Sequence, residues 1–257
     1  MSYYSHSTVA DNVIRWEKNL EVELPKELSD AIELYRAIRK VPVATKPSVT
    51  LSSVTTKNAE AKVHELADEL IRIDSVGTEF APVQRAKNKL SEAAAGAVIR
   101  HAAEAIPNIV GQLQPKLDQH AQAYTEAVAA LPAANELTPE SLISRGPAVV
   151  EAFAAAQREA QEIDAIAAWV AGTSLLRAGS PDPVLRVLRP DTYEQLYRLD
   201  EAHRESGEPG KATAPVGHVY LTACIYGVPF QINTLAECAE IRRELELTER
   251  SARKQLV

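Results

Sequence analysis

The sequence predicts a mainly α-helical protein: an Ala-rich helical bundle with a long antiparallel helical hairpin, an extended N-terminal arm and a small C-terminal α+β element. Three observations lead there. About 40 of the 257 residues are alanine, the strongest helix former and one that lets helices approach closely. Aromatic residues make up only 5% of the chain, so helix-on-helix packing through small side chains is the natural core. Apolar residues also recur at three-four spacing through most of the chain. The expected division is 1–56 for the N-terminal helices and arm, 57–178 for the bundle, and 179–257 for the α+β segment.

Taken in order, a first helix is expected over Thr8–Leu20, where Val9, Val13, Trp16 and Leu20 share a face. Pro25 opens a second helix, striped by Leu28, Ile32, Tyr35 and Ile38. It ends at Val41, because a residue before proline is pushed out of the helical region. Residues 43–56 are rich in Val, Thr and Ser, which suits an extended arm or edge strand. From Asn58 the pattern turns helical, with Val63, Leu66, Ala67, Leu70 and Ile71 on one face and Gly77 as the stop. The next helix starts at Pro82. Pro107 is expected to interrupt it by removing a backbone donor, and Pro115 to restart it through Leu117, Ala121, Tyr124, Val128 and Leu131. Thr138-Pro139 is an N-cap followed by a first-turn proline.

Val149, Phe153, Ala156, Ala160, Ile163, Ala167 and Val170 then alternate four and three apart over three heptads, a coiled-coil-type seam. Its short linker to the 115–131 helix predicts the antiparallel hairpin. After Gly172 the regularity falls. A turn cluster at 179–183 leads to a short helix with Val184, Leu185 and Leu188. Asp191 and Glu194 resemble a capping box for a helix with Leu196, Tyr197 and Leu199. Val219–Tyr226 is the strand expected from its β-branched and aromatic content, returning through Phe230–Ile232. Thr234 with Glu237 caps a last helix whose face is Leu235, Cys238, Ile241, Leu245 and Ala252.

Composition excludes several classes. With 46% hydrophobic and 25% charged residues the chain is globular. No apolar run reaches the roughly 18–20 residues of a membrane span; even Ile163–Val170 is broken by Asp164. The start of the chain lacks a basic stretch followed by an apolar one, so a cytoplasmic location is expected, or a virion if the chain is phage-derived. A formal charge of −7 argues against a nucleic-acid partner. Cys224 and Cys238 are too few for a disulfide framework.

Several strings resemble catalytic motifs and fail on their chemistry. Asp200-Glu-Ala-His203 spells a helicase acidic box, and Gly207–Thr213 looks like a phosphate loop. Yet Ala212 follows Lys211 where magnesium needs Ser or Thr, and the order of the two motifs is reversed. His64 and Asp68 lie one turn apart around Glu65, close to a zinc-protease signature, without a third ligand at a recognised spacing. Neither paired Glu-x-x-His units nor a nucleophile elbow occurs. His218, Cys224 and Cys238 could form a soft-metal or thiol site, against which stands the usual role of buried cysteine as a small apolar residue. Tyr197-x-x-x-Glu201 has the spacing of a short secretion signal of helical-hairpin proteins, but Trp169 is followed by Val-Ala-Gly rather than that family's turn. The interleaved Arg and acidic residues of 177–200, and of the last helix, read as solvated ion-paired faces or a docking tail for an acidic partner.

The expected function is therefore non-enzymatic: a structural or assembly protein acting by self-association or with a protein partner. Val149, Phe153, Ile163 and Val170 are its contact residues, and it needs no cofactor and no metal. The acidic, Ala-rich composition is similar to that of phage head-assembly factors, and the excess of Arg over Lys fits a GC-rich host; no motif carries this likeness. The alternative is a small-molecule enzyme with its site near the C-terminal strand, using His203, His218, Tyr220 or Cys224. A DNA-associated regulator is the third option. A cavity lined by two or more of those four side chains would favour the enzyme; a helix with an exposed apolar stripe would favour assembly.

Overall fold

Helices carry the architecture in the computed structural model, which describes residues 5–42, 54–55, 57–73, 82–133, 136–176, 181–206 and 213–255. The chain is mainly α-helical, and no strand occurs among the described residues. None of their helices is long and apolar enough to cross a membrane. The chain divides into two compact units, Met1–Asn19 with Glu23–Ala105, and Leu20–Val22 with Ile106–Val257. The expected arm at 43–56, the stop at Gly77 and the loop at 207–212 lie largely or wholly outside the described residues.

In the first unit, Ser5 caps α1 (His6–Val13) by accepting from the Thr8 amide. The single helix expected over Thr8–Leu20 is broken at Ile14 and Arg15. There the Arg15 amide bonds Asn12, three residues back, and the tightened turn separates α1 from α2 (Trp16–Leu20). Helix α3 (Lys26–Lys40) buries Leu28, Ile32 and Tyr35 as their spacing requires. Arg39 ties it to α1 through Asp11 at 2.6 Å, its guanidinium 5.4 Å from the Tyr35 ring centre. Helix α4 spans Ala59–Ile73.

Helix α5 runs without interruption from Pro82 to Ala129, through both Pro107 and Pro115. This corrects the expectation of a break and restart. Both prolines are exposed, so each ring faces outward. The opposite side meanwhile buries Ala102, Ala105, Ile106, Ile109, Leu113 and Leu117. Burial of that stripe outweighs the local cost of about 3 kcal/mol per proline.

The second unit holds the rest. Thr138 caps α6 (Pro139–Ser144) by accepting from Ser141, and Gly146, at φ 96°, turns the chain into α7 (Pro147–Gly172). His120 of α5 meets Glu159 of α7 at 2.8 Å. The short helix expected around Val184–Leu188 is not formed. Asp182 instead accepts from the Val184 and Leu185 amides in a turn over 183–186, which leads to a bridge residue at Leu188. Helix α8 (Tyr193–Ser206) is capped one residue later than expected, by Thr192 and Gln195 acting reciprocally.

The predicted strand at Val219–Tyr226 is a helix, α9 (His218–Ile225). Tyr220, Leu221, Thr222 and Ala223 are buried consecutively, and a short element apolar on every side has no period to separate strand from helix. Thr222 removes its own polar mismatch by donating to the His218 carbonyl. Phe230–Ile232 does run extended, but beside residues 187–189, with one antiparallel bridge between Leu188 and Phe230. Buried Asn233 fixes that pairing, its amide donating to Leu185 and Leu188 at 2.6 and 3.1 Å. Helix α10 (Leu235–Gln255) opens with the expected Thr234–Glu237 capping box.

Candidate functional site

A cleft in the C-terminal unit gathers most of the candidate side chains, and an aromatic cluster beside it shares Tyr220 with its wall. Tyr124 of α5 is fully buried, and its hydroxyl donates to the Val216 carbonyl at 2.7 Å. Its ring meets Tyr220 edge-on, with centroids 6.2 Å apart, and Phe230 at 6.3 Å. The turn before α9 is thereby pinned, and Gly217 takes φ 76°, a conformation that glycine adopts without penalty. A Cβ there would stand 2.7 Å from the Tyr220 ring.

The cleft has a volume of about 450 Å³ with Asp164, Arg186, His203, Ser206, His218 and Tyr220 on its walls, a size common for small-ligand sites. Three of the four side chains named for the enzyme alternative therefore meet: His203, His218 and Tyr220. Cys224 does not join them. Its sulfur sits 3.6 Å from Thr125 Oγ1, and burial raises its pKa despite that contact. Cys238 is also separate, near the Asn233 carbonyl, with burial foremost pushing its pKa up to about 12.

His218 is held at both nitrogens, Nδ1 3.0 Å from Thr213 Oγ1 and Nε2 3.1 Å from Glu205 Oε2. Hydroxyl, imidazole and carboxylate in a row have the connectivity of a hydrolase relay. Thr213 is only 5% exposed and is not on the cleft wall, so its hydroxyl does not face a substrate there. The row is a strap between the end of α8 and the start of α9.

Tyr220 donates to Asp164 Oδ1 at 2.5 Å. Burial, then the Asp164 charge, push the phenol well above its ordinary range, with Arg186 pulling the other way. Tyr220 is thus a lasting proton donor, and both charges act on the same hydroxyl. Arg186 spends three N–H groups on carbonyls, those of Asp182, Pro183 and Ala167, at 3.0, 3.0 and 3.4 Å. Two of its five donors remain. Sequence reasoning missed Asp164 and Arg186 as site residues. The signal for Asp164 was its place as the single charge in the Ile163–Val170 run.

The other motif-like strings resolve into structure. Asp200 grips Arg242 with both oxygens at 2.8 Å, and Arg242 also reaches Asp182 at 2.6 Å. Glu201 pairs with Arg198. His64 and Asp68 are exposed on α4, and no three His, Cys, Asp or Glu side chains among the described residues are grouped to hold a metal. Of the expected contact residues, Ile163 and Val170 lie in the core of their unit, while Val149 and Phe153 are half-buried.

The first unit offers a different feature. Along α4, Ala59, Val63, Leu66 and Leu70 are spaced four, three and four apart, yet Val63 is 64% and Leu70 37% exposed. Comparison with protein-family models, with curated proteins and with solved structures finds no match to this chain.

Proposed function

We propose that this chain is a structural or assembly protein that works through helix–helix contacts and self-associates through α4. The exposed seam of α4 carries the reading. It has heptad spacing, and apolar residues in that spacing gain about 25 cal/mol per Å² when a second helix covers them. The occupant is α4 of a second copy, running antiparallel. That direction layers Val63 on Leu66 and Ala59 on Leu70, and sets Lys62 opposite Glu69 at the flank. A parallel pair would set Lys62 against Ala67 and forfeit the complementary charge. Within one chain, the hairpin of residues 115–131 with 138–175 suits the same role, supported by the His120–Glu159 contact. A place in phage or prophage head assembly fits the acidic, Ala-rich composition.

The test is solution mass by sedimentation equilibrium, for the full chain and for a Val63→Asp, Leu70→Asp double variant. A concentration-dependent dimer is expected for the native chain, and a monomer of unchanged helical content for the variant. A native chain that stays monomeric up to about 1 mM, where association is worth under about 4 kcal/mol, defeats the reading. So does a variant that associates equally well.

A second reading, small-molecule binding or catalysis in the C-terminal unit, is favoured by the meeting of His203, His218 and Tyr220 on one cleft. Binding has the stronger support of the two, since His218 is tied at both nitrogens and Thr213 is buried.

A further inference from the structure

The cleft carries one negative and one positive side chain that do not neutralise each other. Asp164 gives one oxygen to Tyr220, and among the described residues it has no cation within ion-pair distance. Arg186 is held by three backbone carbonyls and, among the described residues, has no carboxylate within that distance. Carbonyl dipoles orient a guanidinium but do not cancel its charge. Both groups face the same cavity of about 450 Å³. Its remaining wall includes the aliphatic side chains of Ala167, Val184, Val187 and Val219.

A ligand with a single charge satisfies one of these groups and leaves the other facing it with like sign. A neutral apolar ligand would strip water from both, at a cost that no contact returns. A ligand with both charges and a small aliphatic body satisfies the two charged groups and the aliphatic part of the wall, beside the polar His203, Ser206 and His218. We infer that the cleft is a binding site for a small aliphatic zwitterion of the amino-acid class. Arg186 takes its carboxylate, Asp164 its ammonium, and the Ala and Val side chains its aliphatic body. The carboxylate would meet the two unused N–H groups of Arg186. The ammonium would meet the Asp164 oxygen that Tyr220 leaves open. Tyr220 is then a positioning residue, since its hydroxyl holds the carboxylate of Asp164 from behind. This inference deepens the ligand-binding reading of the cleft and stands apart from self-association through α4.

The experiment is calorimetric titration of the full-length chain with L-valine, L-leucine and L-methionine. Two single-charge analogues of leucine serve as controls, 4-methylpentanoate and 3-methylbutylamine. At least one amino acid should bind, and each analogue should bind about tenfold or more weakly, having lost one charge-assisted contact. Asp164→Asn should weaken amino-acid binding and, by removing the like charge that faces an anion in the cleft, strengthen any 4-methylpentanoate binding; Arg186→Gln should abolish the latter. The analogue comparison needs no variant, so it decides the matter even if Arg186→Gln disturbs the turn that it braces. If no amino acid binds up to about 10 mM, the inference falls, and if neither analogue binds either, the ligand reading of the cleft loses its support as well. If 4-methylpentanoate binds as tightly as leucine and depends on Arg186, the cleft remains a ligand site but the zwitterion assignment is overturned.

Discussion

Asp182 shows how much one half-buried carboxylate organises. One oxygen accepts from two backbone amides and the other from Arg242, which also grips Asp200. Burial alone would raise its pKa; the Arg242 contact and the Leu185 and Val184 amides outweigh that and hold it below the ordinary carboxylate range. The unfolded chain, with its Asp near the usual value of about 3.9, therefore takes up the proton first as pH falls. The stabilisation is complete well above that value and is lost as pH drops through the lower, folded one. An Asp182→Asn variant should be less stable at pH 7 by about 2 kcal/mol, the worth of a charge-assisted contact. Urea midpoints taken from pH 7 to about pH 2.5 should show that deficit shrinking below about pH 4; a deficit constant across the range would be contrary. Local chemistry of this kind was legible where both partners are near in sequence, as at Thr138 and at Thr234 with Glu237. The partners of Asp182 and Asp200 come from 60 and 42 positions away, and no spacing rule reaches that far.

At the scale of the element, α5 is the helix that local rules divide and packing keeps whole. Its two prolines sit on the exposed side, so replacing Pro115 by alanine gives that position an amide to bond the Gly111 carbonyl without disturbing the buried stripe. Pro115→Ala should stabilise by about 2 kcal/mol, the interior cost of proline less the unfolded-state entropy it removes. Thermal melts should rise by about 5 °C; an unchanged or lower midpoint would mean that packing exploits the bend. Long amphipathic segments such as α3, α7 and α10 were readable because one face repeats often enough to define a period. Helix α9 was not, because four consecutive buried residues, Tyr220 to Ala223, span every direction of an eight-residue helix and leave no polar stripe to set the phase. The cleft was half legible for the same reason. His203, His218 and Tyr220 could be named as reactive types, but what joins them is the turn of the chain at Gly217, and their spacing does not contain it.

At the scale of the whole molecule, the largest side chains buried below 2% exposure among the described residues are unevenly spread. The first unit has Leu28 and Tyr35; the second has Ile109, Leu113, Leu117, Tyr124, Leu137, Ile163, Leu185, Leu188, Leu196 and Leu199. The two tryptophans are divided as well, Trp16 in the first and Trp169 in the second. Since buried apolar area is the main source of stability, fluorescence of a Trp169→Phe variant, which reports Trp16, should change at lower urea than that of Trp16→Phe. Coincident curves would show one cooperative unit instead. Gly217, finally, has a bearing on how this fold could diverge. Its missing Cβ leaves room for the Tyr220 ring, and Tyr220 in turn occupies Asp164. Any side chain gained at 217 therefore demands a smaller residue at 220, which frees the acid at 164 from its restraint. In a lineage descended from this chain, these three positions should drift together or stand still together, while the aliphatic wall beside them varies on its own.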